Sequence, residues 1–180
     1  MRRLVVLRLG HRRVRDRRVT THCALVARAF GADSIFYSGD EDDSVKRTVG
    51  YVTGAWGGDF SAVWCREPYS LIREWRSKGG VCVHCTMYGM SIVDRDEELR
   101  RVAASKDVMV VVGAGKVPAE VYRLADYNIA IGHQPHSEIA ALALLLDRVF
   151  QGKELVREFV GPRLRIVPQE HGKMVVQADG

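Results

Sequence analysis

Short apolar runs recur along the chain, each bounded by glycine or by polar residues: Leu4–Leu9, Ser34–Tyr37, Ser61–Cys65, Val81–Thr86, Val108–Val112 and Asn128–Ile131. They are too short for ordinary helices and rich in β-branched side chains, the pattern of strands buried on both faces of a parallel sheet. Between them the apolar residues fall at helical spacing. Thr20 or Thr21 can cap a helix through Cys23–Phe30, which Gly31 stops. Val45, Val49 and Val52 mark a helix from Ser44 to about Gly54, and Pro68 opens another carrying Leu71, Ile72 and Trp75. Asp94 and Glu97 have the spacing of a capping box for a helix reaching Ser105, and Val117–Leu124 reads as a short helix. Strands alternating with helices predict an α/β fold with a mainly parallel sheet of about six strands.

Two segments depart from that alternation. Ile139–Phe150 is apolar on nearly every side, so it must be covered on more than one face. Either the domain buries it or a second subunit does, and a homodimer is expected. The tail, Arg163–Val176, alternates loosely and turns at Pro168–Gly172, as a β-hairpin would. The expected division is therefore a domain over 1–160 and a C-terminal hairpin extension over 161–180.

Composition narrows the class. The 180 residues are 47% hydrophobic and 27% charged, which excludes a disordered chain and allows one domain with a core. No apolar run is long enough to span a membrane, and the N-terminus is too arginine-rich for the core of a signal peptide. Four cysteines do not make a disulfide framework at this length, so a reducing cytoplasm is expected. The net charge of +5 is unevenly spread. Arg2, Arg3, Arg8, Arg12, Arg13, Arg15, Arg17 and Arg18 face a single acid, Asp16, in the first 18 residues, while the rest is close to balanced. Such a cluster suits phosphate backbones, or else forms a solvated, salt-bridged face.

Candidate chemistry gathers after the fifth and sixth strands. Gly113 and Gly115 follow Val108–Val112, with Pro118 where a helix would begin, and Gly132–Glu138 follows Asn128–Ile131. Two strand ends thus deliver two loops to the edge of the sheet where ligands bind in open α/β folds. Pro118 occupies the third glycine position of a dinucleotide fingerprint, and Gly113-Ala-Gly-Lys116 lacks the spacing and the Ser or Thr of a P-loop. Cys82 and Cys85, three apart on a strand, point to opposite faces and cannot share a metal ion. His84, on the same strand, reads as a packing residue. Pro135-His-Ser-Glu138 also has an ordinary explanation as a helix start.

Taken together, five segments resemble one family. They are Arg15-Asp-Arg-Arg-Val-Thr-Thr-His22, Ala27-Arg-Ala-Phe-Gly-Ala32, His84-Cys-Thr-Met-Tyr-Gly89, Val112-Gly-Ala-Gly-Lys-Val-Pro118 and Gln134-Pro-His-Ser-Glu-Ile-Ala-Ala-Leu-Ala143. In this order they resemble the archaeal tRNA cytidine 2′-O-methyltransferases of the SPOUT, or α/β-knot, class, which act on position fifty-six in the T-loop. The resemblance covers essentially the whole chain. It implies a trefoil knot in the last strands and helix, which the usual rules of chain connection would never suggest. It also implies S-adenosylmethionine as cofactor, tRNA as partner, a homodimer and no metal. Cofactor contacts implied on the matching positions are Cys85, Gly113, Ala114, Gly115, Lys116, Val117, Ile131, Gly132, His133, Gln134, Pro135, His136, Ser137 and Glu138. Arg18 and Arg15 are the implied candidates for the arginine at the ribose, with Arg18 preferred for its place just before the helix. Two positions depart from the family: Gly115 stands where it has Glu, and Cys85 where it has Leu. Two other readings fit the residues: an α/β enzyme using a different adenine nucleotide, and a non-catalytic tRNA-binding module.

Overall fold

The computed structural model describes residues 2–178, with Arg17 described through its backbone alone. Strands β1 (Leu4–His11), β2 (Ser34–Gly39), β3 (Ser61–Trp64), β4 (Val81–Ser91), β5 (Val108–Gly113) and β6 (Tyr127–Ala130) form one sheet in the order β3-β2-β1-β5-β4-β6. Every pairing in it is parallel. Side chains alternate across the sheet, so each central strand feeds two cores. Leu4, Val6, Val108, Val110 and Val112 pack with α1 (Arg17–Ala29), α2 (Asp43–Trp56), α4 (Ile92–Ser105) and α6 (Glu138–Phe150). Val5, Leu7, Met109 and Val111 pack on the other side with α3 (Pro68–Ser77) and α5 (Ala119–Leu124). The antiparallel hairpin of β7 (Leu164–Val167) and β8 (Met174–Gln177) forms a separate two-stranded sheet.

The expected knotted crossing lies in β4. Its residues Val83–Cys85 pair with Tyr127–Ile129, and after a break Met90 and Ser91 pair with Ile129 and Ala130. Ile129 is thus bridged twice by one strand, with Thr86–Gly89 lying between the two pairings. The approach is so close that a Cβ on Gly89 would lie 2.4 Å from the carbonyl carbon and oxygen of Asn128. No residue but glycine fits there without moving backbone.

Several element ends differ from expectation. The first helix begins at Arg17, earlier than a Thr20 or Thr21 cap predicts. The Thr20 hydroxyl is engaged instead by Arg8 and His11 inside the protein. The fourth helix is capped by Ser91, whose Oγ accepts from the Val93 N–H, and not by Asp94 with Glu97. This follows from β4 running directly into α4, so the first hydroxyl at the junction takes the cap. Pro118 sits at the N-cap of α5 rather than inside the helix. The apolar helix α6 is largely covered within one subunit: Ala141, Leu142, Leu145 and Leu146 are buried, and Leu144 is 50% exposed. Among the described residues no helix is long and apolar enough to cross a membrane.

Candidate active site

The segment His84–Tyr88 of β4 and the loops after β5 and β6 meet at one edge of the sheet and enclose a cleft of roughly 860 Å³. Of the expected cofactor residues, Cys85, Gly113, Ala114, Gly115, Lys116, Val117, Ile131, Pro135, His136 and Glu138 line it. Gly132, His133, Gln134 and Ser137 do not. Ser137 caps α6 by accepting from the Ile139 N–H at 3.1 Å. His133 Nε2 meets the Gly89 carbonyl at 3.1 Å, tying the last loop to the knot crossing. Gly132 takes a φ of +84°, a left-handed conformation suited to the turn.

The walls show what the cleft can hold. Val112, Val117, Ile131 and Ala141 supply apolar surface, and backbone of the glycine-rich loops supplies donors and acceptors. Gly113 is forced by packing, since a Cβ there would meet Val117 Cγ2 at 2.2 Å. Gly115 is different: nothing lies within 4 Å of its Cβ position, so that stretch of backbone is open to a ligand. Walls of this kind fit a nucleoside-sized group, as the cofactor implied by the resemblance requires. Among the described residues lining the cleft, Glu138 is the single carboxylate and Lys116 the single lysine.

Residues not anticipated from sequence also line it, among them His84, Thr86, Tyr88 and Tyr122. Except for Tyr122 these lie inside the motif His84–Gly89, of which only Cys85 was assigned a contact. His84 does pack, as expected, edge-on to the Tyr122 ring with centroids 4.8 Å apart. Its Nδ1 lies 2.9 Å from Asn128 Oδ1, while the Asn128 amide donates to the Tyr122 carbonyl. That fixes the Asn128 oxygen as acceptor and places the imidazole proton on Nδ1. Nε2 is left as an acceptor with no protein partner. Burial lowers the His84 pKa, against a smaller raising effect of the Asn128 bond, so the ring is neutral at physiological pH. Burial also pushes the Cys85 thiol up to about 12, which excludes a thiolate nucleophile there. Cys82 and Cys85 do contribute to opposite faces of the sheet.

The basic cluster proves heterogeneous. Arg8 is fully buried on β1 and is no part of a phosphate-facing surface. Arg12 is tied to buried Asp16, its Nε 2.7 Å from Oδ2. That bond holds the Asp16 carboxyl below its usual range. Arg15 and Arg18 are exposed, on the turn and in the first helical turn of α1, and neither lines the cleft of its own subunit. The side chain of Arg17 lies outside the described residues.

Comparison with known proteins places the chain. Residues 56–176 match the family model described as tRNA ribose 2′-O-methyltransferase, aTrm56. The tRNA (cytidine(56)-2′-O)-methyltransferase of Methanopyrus kandleri is 57% identical over 173 residues, 96% of each chain. Among solved structures, the A. aeolicus TrmH/SpoU tRNA modifying enzyme superposes with a TM-score of 0.60 at 14% identity, over 86% of this chain and 77% of that one. The SpoU methyltransferase AviRb from Streptomyces viridochromogenes, in complex with AdoMet, gives 0.58 at 15% identity, over 84% of this chain and 58% of that one. These two likenesses concern the fold, while the family model and the sequence relative concern descent: the chain belongs to the aTrm56 family of tRNA ribose 2′-O-methyltransferases.

Proposed function

We propose that this protein methylates the ribose 2′-hydroxyl of cytidine 56 in tRNA, using S-adenosylmethionine held in the cleft between β4 and the loops after β5 and β6. The observation that carries this is the convergence of β4 and the loops after β5 and β6 on one cleft, beside a turn on which Arg15 and Arg18 are exposed. The bound sulfonium supplies an activated methyl group, so the protein's task is to position an oxygen in line with it and to manage that oxygen's proton.

The chain's own residues divide that task. Gly113–Val117, Ile131, Pro135, His136 and Glu138, with Cys85, shape the cofactor cleft; His133 and Ser137 hold the last loop in place. Arg18, or Arg15, orients the ribose hydroxyl and stabilises the developing alkoxide and the adjacent phosphate. A guanidinium is poorly suited to act as a base, because its pKa lies above about 12. Neither arginine lines its own subunit's cleft, and Leu144 is left exposed on α6, which agrees with a homodimer packed through α6 and α1. In that arrangement the arginine reaches the ribose from a second subunit. The hairpin extension over 161–180 holds a distorted T-loop, and the free cysteines agree with a reducing cytoplasm.

The decisive experiment incubates unmodified tRNA with methyl-labelled S-adenosylmethionine and maps the label. Label on a ribose other than that of cytidine 56, or no label, overturns the assignment. Tighter binding of ATP or NAD than of S-adenosylmethionine in calorimetry would favour a different nucleotide enzyme. Mixed dimers test the shared site: pairing an Arg18→Ala subunit with one disrupted at Gly113 restores partial activity if the arginine acts across the interface. Deleting the hairpin should reduce activity on whole tRNA more than on an isolated T-arm, and equal losses would remove its proposed role.

A further inference from the structure

Arg8 is an expensive residue to place on a central strand. It shares a face with Leu4 and Val6 and is fully buried beneath α1 and α6. Its Nη1 donates to Thr20 Oγ1 at 2.7 Å and its Nη2 to Glu138 Oε1 at 3.0 Å, while its Nε has no partner. A buried ion pair of this kind is often no more stabilising than an apolar replacement, so its stability alone does not explain it.

What fixes Arg8 is itself fixed. The Thr20 hydroxyl oxygen accepts from Arg8 and also lies 2.6 Å from His11 Nδ1. Burial first and Arg8 second lower the His11 pKa, and its Nε2 faces Asp42 Oδ2 at 3.6 Å. Asp42 is in turn the N-cap of α2, accepting from the Ser44 N–H. A hydrogen-bonded run of polar groups therefore links His11 and Thr20 through Arg8 to Glu138 in the wall of the cleft, with Asp42 of α2 beside His11.

The consequence falls on Glu138. In the first turn of α6 an unrestrained glutamate would exchange among rotamers and turn towards water. Here Oε1 is held by Arg8, the side chain is 21% exposed, and no other described cleft residue carries a carboxylate. We propose that Arg8 is a positioning residue, which fixes Glu138 as the one negative charge of the cleft. Through that charge the site discriminates the sulfonium cofactor from its neutral, demethylated product. The inference rests on the cofactor reading above and deepens it. A carboxylate near the cleft favours the cation of S-adenosylmethionine and offers nothing to the thioether of S-adenosylhomocysteine. Product is thereby released in preference to unreacted cofactor.

Calorimetry with both ligands on the full-length protein tests this. Glu138→Gln keeps the shape and an oxygen for Arg8 but removes the charge. It should weaken S-adenosylmethionine about tenfold while leaving S-adenosylhomocysteine within about twofold. Arg8→Met should lose the same discrimination, and Arg8→Lys should recover part of it. Equal weakening of both ligands by Glu138→Gln, or no change in either, overturns the proposal. If Arg8→Met fails to give a cooperative thermal transition, the Glu138→Gln ratio decides alone, because that side chain is partly exposed and outside the core. A wild-type protein that binds neither ligand would instead overturn the cofactor reading beneath it.

Discussion

At the cleft, backbone carries the shape. Gly113 lies against Val117, Gly89 lies against the Asn128 carbonyl, and the walls are residues whose positions are set by strands packed on both faces. At the turn from Arg12 to Arg18, on the same edge of the sheet, a few polar contacts carry it: the Arg12–Asp16 pair and the Arg13 N–H bonded to Asp40. Val14, Arg15 and Arg18 stand in solvent. The difference suits the two ligands. A small cofactor gains affinity from a cleft that needs no reordering. A folded polyanion whose target must be exposed is better met by long side chains free to follow it.

The largest effect should come from filling the closest backbone approach. Gly89→Ala places a methyl group where the chain crosses β6, and should destabilise the protein by roughly 3 kcal/mol or more, beyond ordinary overpacking. Denaturant unfolding measures it, and a wild-type midpoint would mean the crossing is looser than described. Next comes Arg18→Ala, expected to lower kcat about 100-fold, the scale of losing one transition-state donor, with cofactor affinity unchanged. Arg15→Ala in parallel should leave kcat higher than that and reduce the salt slope of tRNA binding by about 1. If the two variants exchange these effects, Arg15 is the residue at the ribose.

How much of this was legible follows from what each signal depends on. The six strands and their order of appearance were readable because double burial leaves uninterrupted apolar runs, as in Val108–Val112. The two loops of the cleft were readable from glycines immediately after strands. The crossing was not, because Gly89 differs from any turn glycine only through Asn128, a partner 39 positions away in the chain. Arg8 was misread for a similar reason. Counted among neighbouring arginines it looks like surface charge, and only its place on β1, on the same face as Val6, sends it inward. Tyr122 entered the cleft from a helix that periodicity alone could not orient.

Acid should separate the two regions further. The Asp16 carboxyl is lowered in the folded protein, chiefly by its bond to Arg12, so its contribution is present above the unfolded value near 3.8. It is lost as pH falls through the lower, folded value. The turn should therefore loosen under strongly acidic conditions, seen as faster amide exchange at residues 12–18 than in the cleft loops. Uniform exchange in both regions would deny the contrast. Smallest of all is Gly115→Glu, which restores the residue usual in the family at a position with open space around its Cβ. Its midpoint of unfolding should stay within about 0.5 kcal/mol of the parent, and a larger drop would show the loop to be tighter than its surroundings suggest.

The double bridging of Ile129 by Cys85 and Met90 has a mechanical consequence. A polypeptide whose C-terminal part is threaded through its own loop cannot be drawn straight by tension on its two ends. It contracts instead to a tight node. Stretched in an optical trap, the chain should reach a contour length shorter than its 180 residues would allow. The same node would meet the entrance of any unfolding machine that pulls from a terminus. Such a machine must either pass a bulky crossing or stall against it.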